Sequence, residues 1–157
     1  MSIPNNNPLI SSNEITHFGR IGLKDFMPSI KHKMKFARTN LKAIIGNNEE
    51  PNFNNTILQL ELHAQDLYRI VDIYFVLYGV HSDDKYKKLS DKISPMMADY
   101  KNDIILNETL FKKVKYIYDH ASELNLDGED LRLTQETYNK FIKNGSLLDT
   151  DLFQTFI

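Results

Sequence analysis

The sequence predicts an all-α protein: an antiparallel array of about five helices, followed by the start of a truncated sixth. Two observations carry this. Apolar residues recur at alternating three- and four-residue spacing in four of five successive segments, the period of one helical face. Most of those segments open on Asn, Asp or Ser, the residues that cap helix starts, and none shows the apolar–polar alternation of a half-buried strand.

Residues 1–22, which include MSIPNNNPLI, are rich in Asn, Ser, Pro and Gly without a sustained period, and read as an extended leader lying on something else. A helical domain follows over 23–145. Its first helix carries Phe26, Ile30, Met34, Ala37, Leu41, Ile44 and Ile45 on one face. Asp25 is the candidate N-cap, which puts Pro28 in the first turn, and Gly46-Asn47-Asn48 stops the helix. In PNFNNTILQLE, Asn54 is the candidate cap of the second helix, with Phe53 stapled to Leu58 across the first turn. The face continues unbroken through Ile57, Leu60, Ala64, Leu67, Val71, Tyr74 and Tyr78. Nearly every position from Ile70 to Tyr78 is apolar, so this helix is expected to be covered on several sides.

Ser82 is the candidate cap of a third helix, which should break or kink at Pro95 before resuming toward Ile105. Asn107 caps the fourth, with Leu110, Phe111, Val114, Ile117, Tyr118 and Ala121 on its apolar face. The fifth runs from about Gly128 to Asn144 with Leu131, Tyr138, Phe141 and Ile142, and Gly145 ends it. Residues 146–157 begin the sixth helix, capped at Asp149. That piece is too short to be stable alone and leaves Leu152, Phe153, Phe156 and Ile157 in need of neighbours.

Bulk properties narrow the function. A chain of 157 residues is about one domain long and can bury roughly two-thirds of its unfolded surface. The formal net charge of −2, with lysines dispersed among apolar residues, argues against nucleic acid as a partner. Absence of cysteine removes disulfides, thiolate metal sites and thiol nucleophiles together. With neither a basic leader nor a long apolar run, the chain reads as soluble and cytoplasmic, with no membrane partner. Sequons at Asn54, Asn107 and Asn144 each fall where a helix cap is wanted, which explains them without glycosylation.

The residues also offer no catalytic, cofactor-binding or metal-binding set. A helical zinc site needs two histidines four residues apart with a glutamate beside the first. The histidines at 17, 32, 63, 81 and 120 have no such spacing. A four-carboxylate dimetal site needs two Glu-x-x-His pairs on facing helices, and only Glu14 with His17 fits, within the leader. Glycines are scattered singly rather than gathered into a phosphate loop, and no nucleophile elbow is present. Tyr and Phe fall on the helical stripes, where core packing accounts for them.

Several segments, in order, resemble the N-terminal region of the M3 family of zinc oligopeptidases, above all its peptidyl-dipeptidase (dipeptidyl carboxypeptidase) branch. They are NPL at Asn7–Leu9, HFGRIGLKDFMPSI at His17–Ile30, PNFNNTILQLE, ISPMMADYKNDIILNETLFKKVKYIYD at Ile93–Asp119 and LRLTQETYNKFIKNGSLL at Leu131–Leu148. The chain departs from the family pattern at His17 (usually Pro), Ser29 (Ala), Asn52 (Thr) and Asn54 (Glu). The resemblance implies the N-terminal helical part of the neurolysin-like zincin fold, within an enzyme that removes dipeptides from the C-termini of short peptides. Zinc is the cofactor of the full-length family enzyme. Its HExxH motif, third glutamate ligand and substrate-binding tyrosines and histidines belong to a part this chain lacks, so no catalytic residue transfers to any position here. The chain itself is expected to be inactive and to form part of the substrate-channel wall, with the rest of the peptidase as its partner. The alternative is a free-standing helical interaction module derived from the same fold.

Overall fold

The computed structural model describes residues 7–10, 18–81 and 83–144, and among these the regular structure is entirely helical. After a short 3₁₀ turn at Phe18–Arg20 come α1 (Leu23–Gly46), a π-helical turn (Phe53–Ile57) and the short α2 (Leu58–Leu62). Then follow α3 (Gln65–His81), α4 (Asp84–Ile105), α5 (Glu108–Asp119) and α6 (Gly128–Lys143). The five long helices occupy the five segments read from the sequence. Gly145 and the expected sixth helix lie outside the described residues. The chain divides into two compact units, Met1–Asn40 with His63–Met97, and Leu41–Leu62 with Ala98–Ile157.

In the first unit the periodic residues of α1 are buried as their spacing predicts: Phe26, Ile30, Met34 and Ala37. From α3 come Leu67, Ile70, Val71 and Tyr74, and from α4 Ile93. Phe26 meets Tyr74 edge to face with ring centroids 5.3 Å apart. The peptide around Leu9, itself fully buried, is tied to α1 and α3. Asn7 Nδ2 donates to the Asp25 carbonyl (2.9 Å), and an Arg69 guanidinium nitrogen donates to the Leu9 carbonyl (3.3 Å). The buried hydroxyl of Ser29, where the resembling family has alanine, is accommodated because it donates to the Asp25 carbonyl at 2.8 Å.

Several helix ends differ from expectation. Asp25 is the third residue of α1 rather than its cap, and its carboxylate reaches back to accept from the Gly22 amide at 2.8 Å. Pro28 therefore lies in the second turn, where its ring forgoes one hydrogen bond, to the carbonyl of exposed Lys24, and α1 continues through it. Likewise α4 passes Pro95 without a break. Asp91 and Pro95 are both exposed, so the unbonded carbonyl faces water instead of being orphaned in the core. Ser82 lies outside the described residues. The start of α4 is instead served by Asp83, whose Oδ1 accepts from the amides of Lys85 (2.7 Å) and Tyr86 (3.0 Å).

The second unit is organised around α5. Leu110, Phe111, Val114 and Ile117 pack with Leu41, Ile44, Ile57 and Phe141, and Phe53, Leu126 and Tyr138 flank the cluster. Asn107 caps α5 as its sequence predicts, accepting from Leu110 N at 2.8 Å. The PNFNNTI stretch also starts a helix, but the cap is Asn52 rather than Asn54. Asn52 Oδ1 accepts from Asn55 N and Asn55 Oδ1 accepts from Asn52 N, each at 2.9 Å, a reciprocal capping box. This places Phe53 inside the first turn, against the core, in place of the expected staple to Leu58.

The predicted unbroken second helix is interrupted at His63 and Ala64, both buried. There the His63 carbonyl accepts from Asn40 Nδ2 of α1 at 3.1 Å, so a tertiary donor replaces the helical one.

Candidate functional site

The histidines, the first residues to test for metal chemistry, are placed apart and turned to structural use. His32 lies edge-on to Phe36 (4.7 Å), and His81 stacks on Tyr86 (5.2 Å). His120 Nδ1 is 2.8 Å from the Tyr116 carbonyl, with the two rings stacked at 4.3 Å, and His63 is buried. Glu14 and His17 lie outside the described residues. Among the described residues no three His, Asp or Glu side chains converge as a ligand set.

What the fold does assemble is an apolar helix face. Helix α3 is apolar around almost its whole circumference, as the run from Ile70 to Tyr78 announces. Leu67, Ile70, Val71 and Tyr74 point to one side and are buried. On the opposite side Tyr68, Phe75, Val76 and Val80 are 40, 39, 61 and 74 % exposed. The expected cover is thus present on one side only among the described residues. Within this outer face lie two charged residues, exposed Asp72 and half-buried Arg69, whose guanidinium donates to the Leu9 carbonyl, and Gly79 adds a flat spot where an added Cβ would meet nothing within 4 Å.

The C-terminal end of α3 runs into an aromatic cluster. Tyr74 OH donates to the Tyr86 carbonyl at 2.5 Å, and its ring stacks on Tyr78 (6.2 Å) and Tyr86 (6.0 Å). Burial pushes the Tyr74 and Tyr86 phenols above the ordinary tyrosine value. Beside the cluster is an open depression of about 290 Å³ lined by Tyr78, Gly79, Asp83, Asp84 and Lys87. The amide of Tyr86, with that of Lys85, holds the Asp83 carboxyl below the usual carboxylate range. A carboxylate committed to a helix start and phenols held above their ordinary pKa, Tyr74 buried and Tyr86 half-buried, provide neither a general base nor an activated nucleophile. The arrangement is suited to recognition by contact.

No family model matches the chain. Among curated proteins it is 33 % identical over 132 residues to the dipeptidyl carboxypeptidase of Escherichia coli (strain K12), covering 84 % of this chain and 19 % of that protein. To the dipeptidyl carboxypeptidase of Salmonella typhimurium (strain LT2) it is 30 % identical over 146 residues, covering 90 % of this chain and 22 % of that protein. The chain is related to the dipeptidyl carboxypeptidases. It spans about a fifth of the length of these relatives, and a match of 132 residues draws on both compact units.

The exposed face of α3 is legible in the sequence only as an excess of apolar residues. Which side of the helix stays open depends on α1 and α4. Exposed Phe36, 53 % accessible, went unnoticed, although its position off the apolar spacing of α1 is a signal that could have found it.

Proposed function

We propose that this chain is a non-catalytic N-terminal helical segment of an M3-family, zinc-dependent peptidyl-dipeptidase, and that it forms part of the wall of the substrate channel. The parent enzyme would remove dipeptides from the C-termini of oligopeptides in the cytoplasm. No helix among the described residues is long and apolar enough to cross a membrane, which is compatible with that setting. The carrying observation is the asymmetry of coverage, with most of this chain matched by two dipeptidyl carboxypeptidases and only about a fifth of each matched by it.

Zinc, when bound in the parent, would polarise the scissile carbonyl and supply a nucleophilic water at neutral pH. The described residues of this chain do not fit such a site, because their histidines are engaged separately and no ligand set converges. The ligands are therefore assigned to the remainder of the enzyme. This segment contributes shape, walling off a channel that admits short peptides.

Two measurements test the reading. The isolated chain should retain no stoichiometric zinc after dialysis and should not cleave a blocked tripeptide; zinc retention with chelator-sensitive cleavage would overturn it. Substituted for the matched fifth of the E. coli enzyme, the chain should support release of C-terminal dipeptides. A soluble, folded but inert chimera would favour the free-standing interaction module.

A further inference from the structure

We infer that the outer face of α3, built on Tyr68, Phe75, Val76 and Val80, is the seat on which the remaining four-fifths of a dipeptidyl-carboxypeptidase-like polypeptide docks. The inference rests on the function proposed above and specifies which surface of this chain makes the contact.

The other helices show what a water-facing side looks like in this protein. Along α1 the exposed positions Lys24, Lys31, Lys35 and Arg38 recur every three, four or seven residues, a cationic stripe on one face. On α6 the exposed positions include Glu129, Asp130, Arg132 and Glu136, with Arg132 paired to both glutamates. The outer face of α3 carries one exposed charge, Asp72, among its aromatic and aliphatic side chains, and its other charged residue, Arg69, is half-buried and donates to the Leu9 carbonyl. A helix apolar all round belongs in an interior.

Area decides between occupants. Taking about 200 Å² for a full aromatic side chain and less for valine, the four side chains leave on the order of 350 Å² open. A second copy seated face to face would bury roughly 700 Å² in total, short of the ~1,200 Å² at which specific interfaces begin. A polypeptide several times longer than this chain has no such limit, because its contact can extend past the stripe. The two relatives each carry about four-fifths of their length beyond the matched segment. Gly79, at the C-terminal end of the face beside Val80, fits a close approach of the partner's backbone, since glycine otherwise weakens a helix.

The test is co-expression of the 157-residue chain with a tagged polypeptide comprising the unmatched part of the E. coli enzyme. Wild type should co-purify in equal amounts. Val76→Lys/Val80→Lys should lower recovery at least about tenfold, because two charges would be buried at the contact. Both valines are largely exposed, so the variant should keep wild-type helicity and melting temperature, and Gln135→Lys on α6 should bind like wild type. Failure of wild type itself to co-purify would sink the proposed function. Co-purification of wild type and the double variant alike would sink only the assignment to α3. Two other outcomes overturn the occupant: concentration-dependent self-association abolished by the double variant, or new hydrophobic-dye binding at α3 on deletion of residues 145–157.

Discussion

Asparagine 55 is the position where structure and sequence disagree most usefully. Its Oδ1 accepts from the Asn52 amide (2.9 Å) and from the hydroxyl of Thr56 (2.8 Å), while its Nδ2 donates to the Glu50 carbonyl (2.9 Å). Asn55→Ala removes half of the capping box, worth about 1 kcal/mol. It also takes the acceptor from the hydroxyl of Thr56, a residue only 1 % exposed, which adds about 1–2 kcal/mol if nothing replaces it. The exposed bond to Glu50 adds little. A total of about 2–3 kcal/mol should lower the melting temperature by roughly 5–10 °C for a chain of this size. Asn54→Ala, at an exposed position outside the box, should stay within about 0.5 kcal/mol of wild type. Thermal and urea melts followed by far-UV circular dichroism measure both. Because the box is reciprocal, Asn52→Ala/Asn55→Ala should cost less than the two single changes added together. A loss at Asn54 equal to that at Asn55 would return the cap to the position first expected from the sequence and refute the geometry.

Tyr74→Phe should cost about 1 kcal/mol through the lost bond to the Tyr86 carbonyl. Since burial raises the Tyr74 pKa above 10.0, the folded state holds this proton more tightly than the unfolded chain does. That contribution is full below pH ~10 and is lost as pH rises through the folded value, so alkaline denaturation should come later in Tyr74→Phe than its neutral stability implies. For Asp83 the sign is opposite: its lowered pKa makes the cap of α4 a contribution lost on acidification, and Asp83→Ala should flatten the acid limb of the stability profile. Gly79→Ala should stabilise the isolated chain by about 0.5–1 kcal/mol, whereas Gly128→Ala, at φ +47°, should destabilise it by about 1–2 kcal/mol, both read from urea midpoints. Ile117→Ala, fully buried in the α5 core, should cost about 2–5 kcal/mol, and an effect below 1 kcal/mol would contradict the packing described.

The sequence by itself determined the helices and their buried faces. Phe26, Ile30, Met34, Ala37, Leu41 and Ile44 on α1, and Leu110, Phe111, Val114 and Ile117 on α5, were legible because a 3.6-residue period carries burial in the order of the letters. The Asn107 cap was legible for a similar reason, since its partner amide lies three residues away. The relationship to a peptidase was likewise carried by linear text. Tertiary structure decided whatever depends on partners far along the chain. The helix break at His63 is paired with Asn40, 23 residues earlier. The cap moved to Asn52 as Phe53 turned into a core drawn from α1, α5 and α6. The helices passed Pro28 and Pro95 because the carbonyls those rings leave unbonded belong to exposed residues. The same holds for α3. Its composition says that it is too apolar for one buried side, but which side remains open is fixed only when α1 and the start of α4 supply Phe26 and Tyr86 to cover the other.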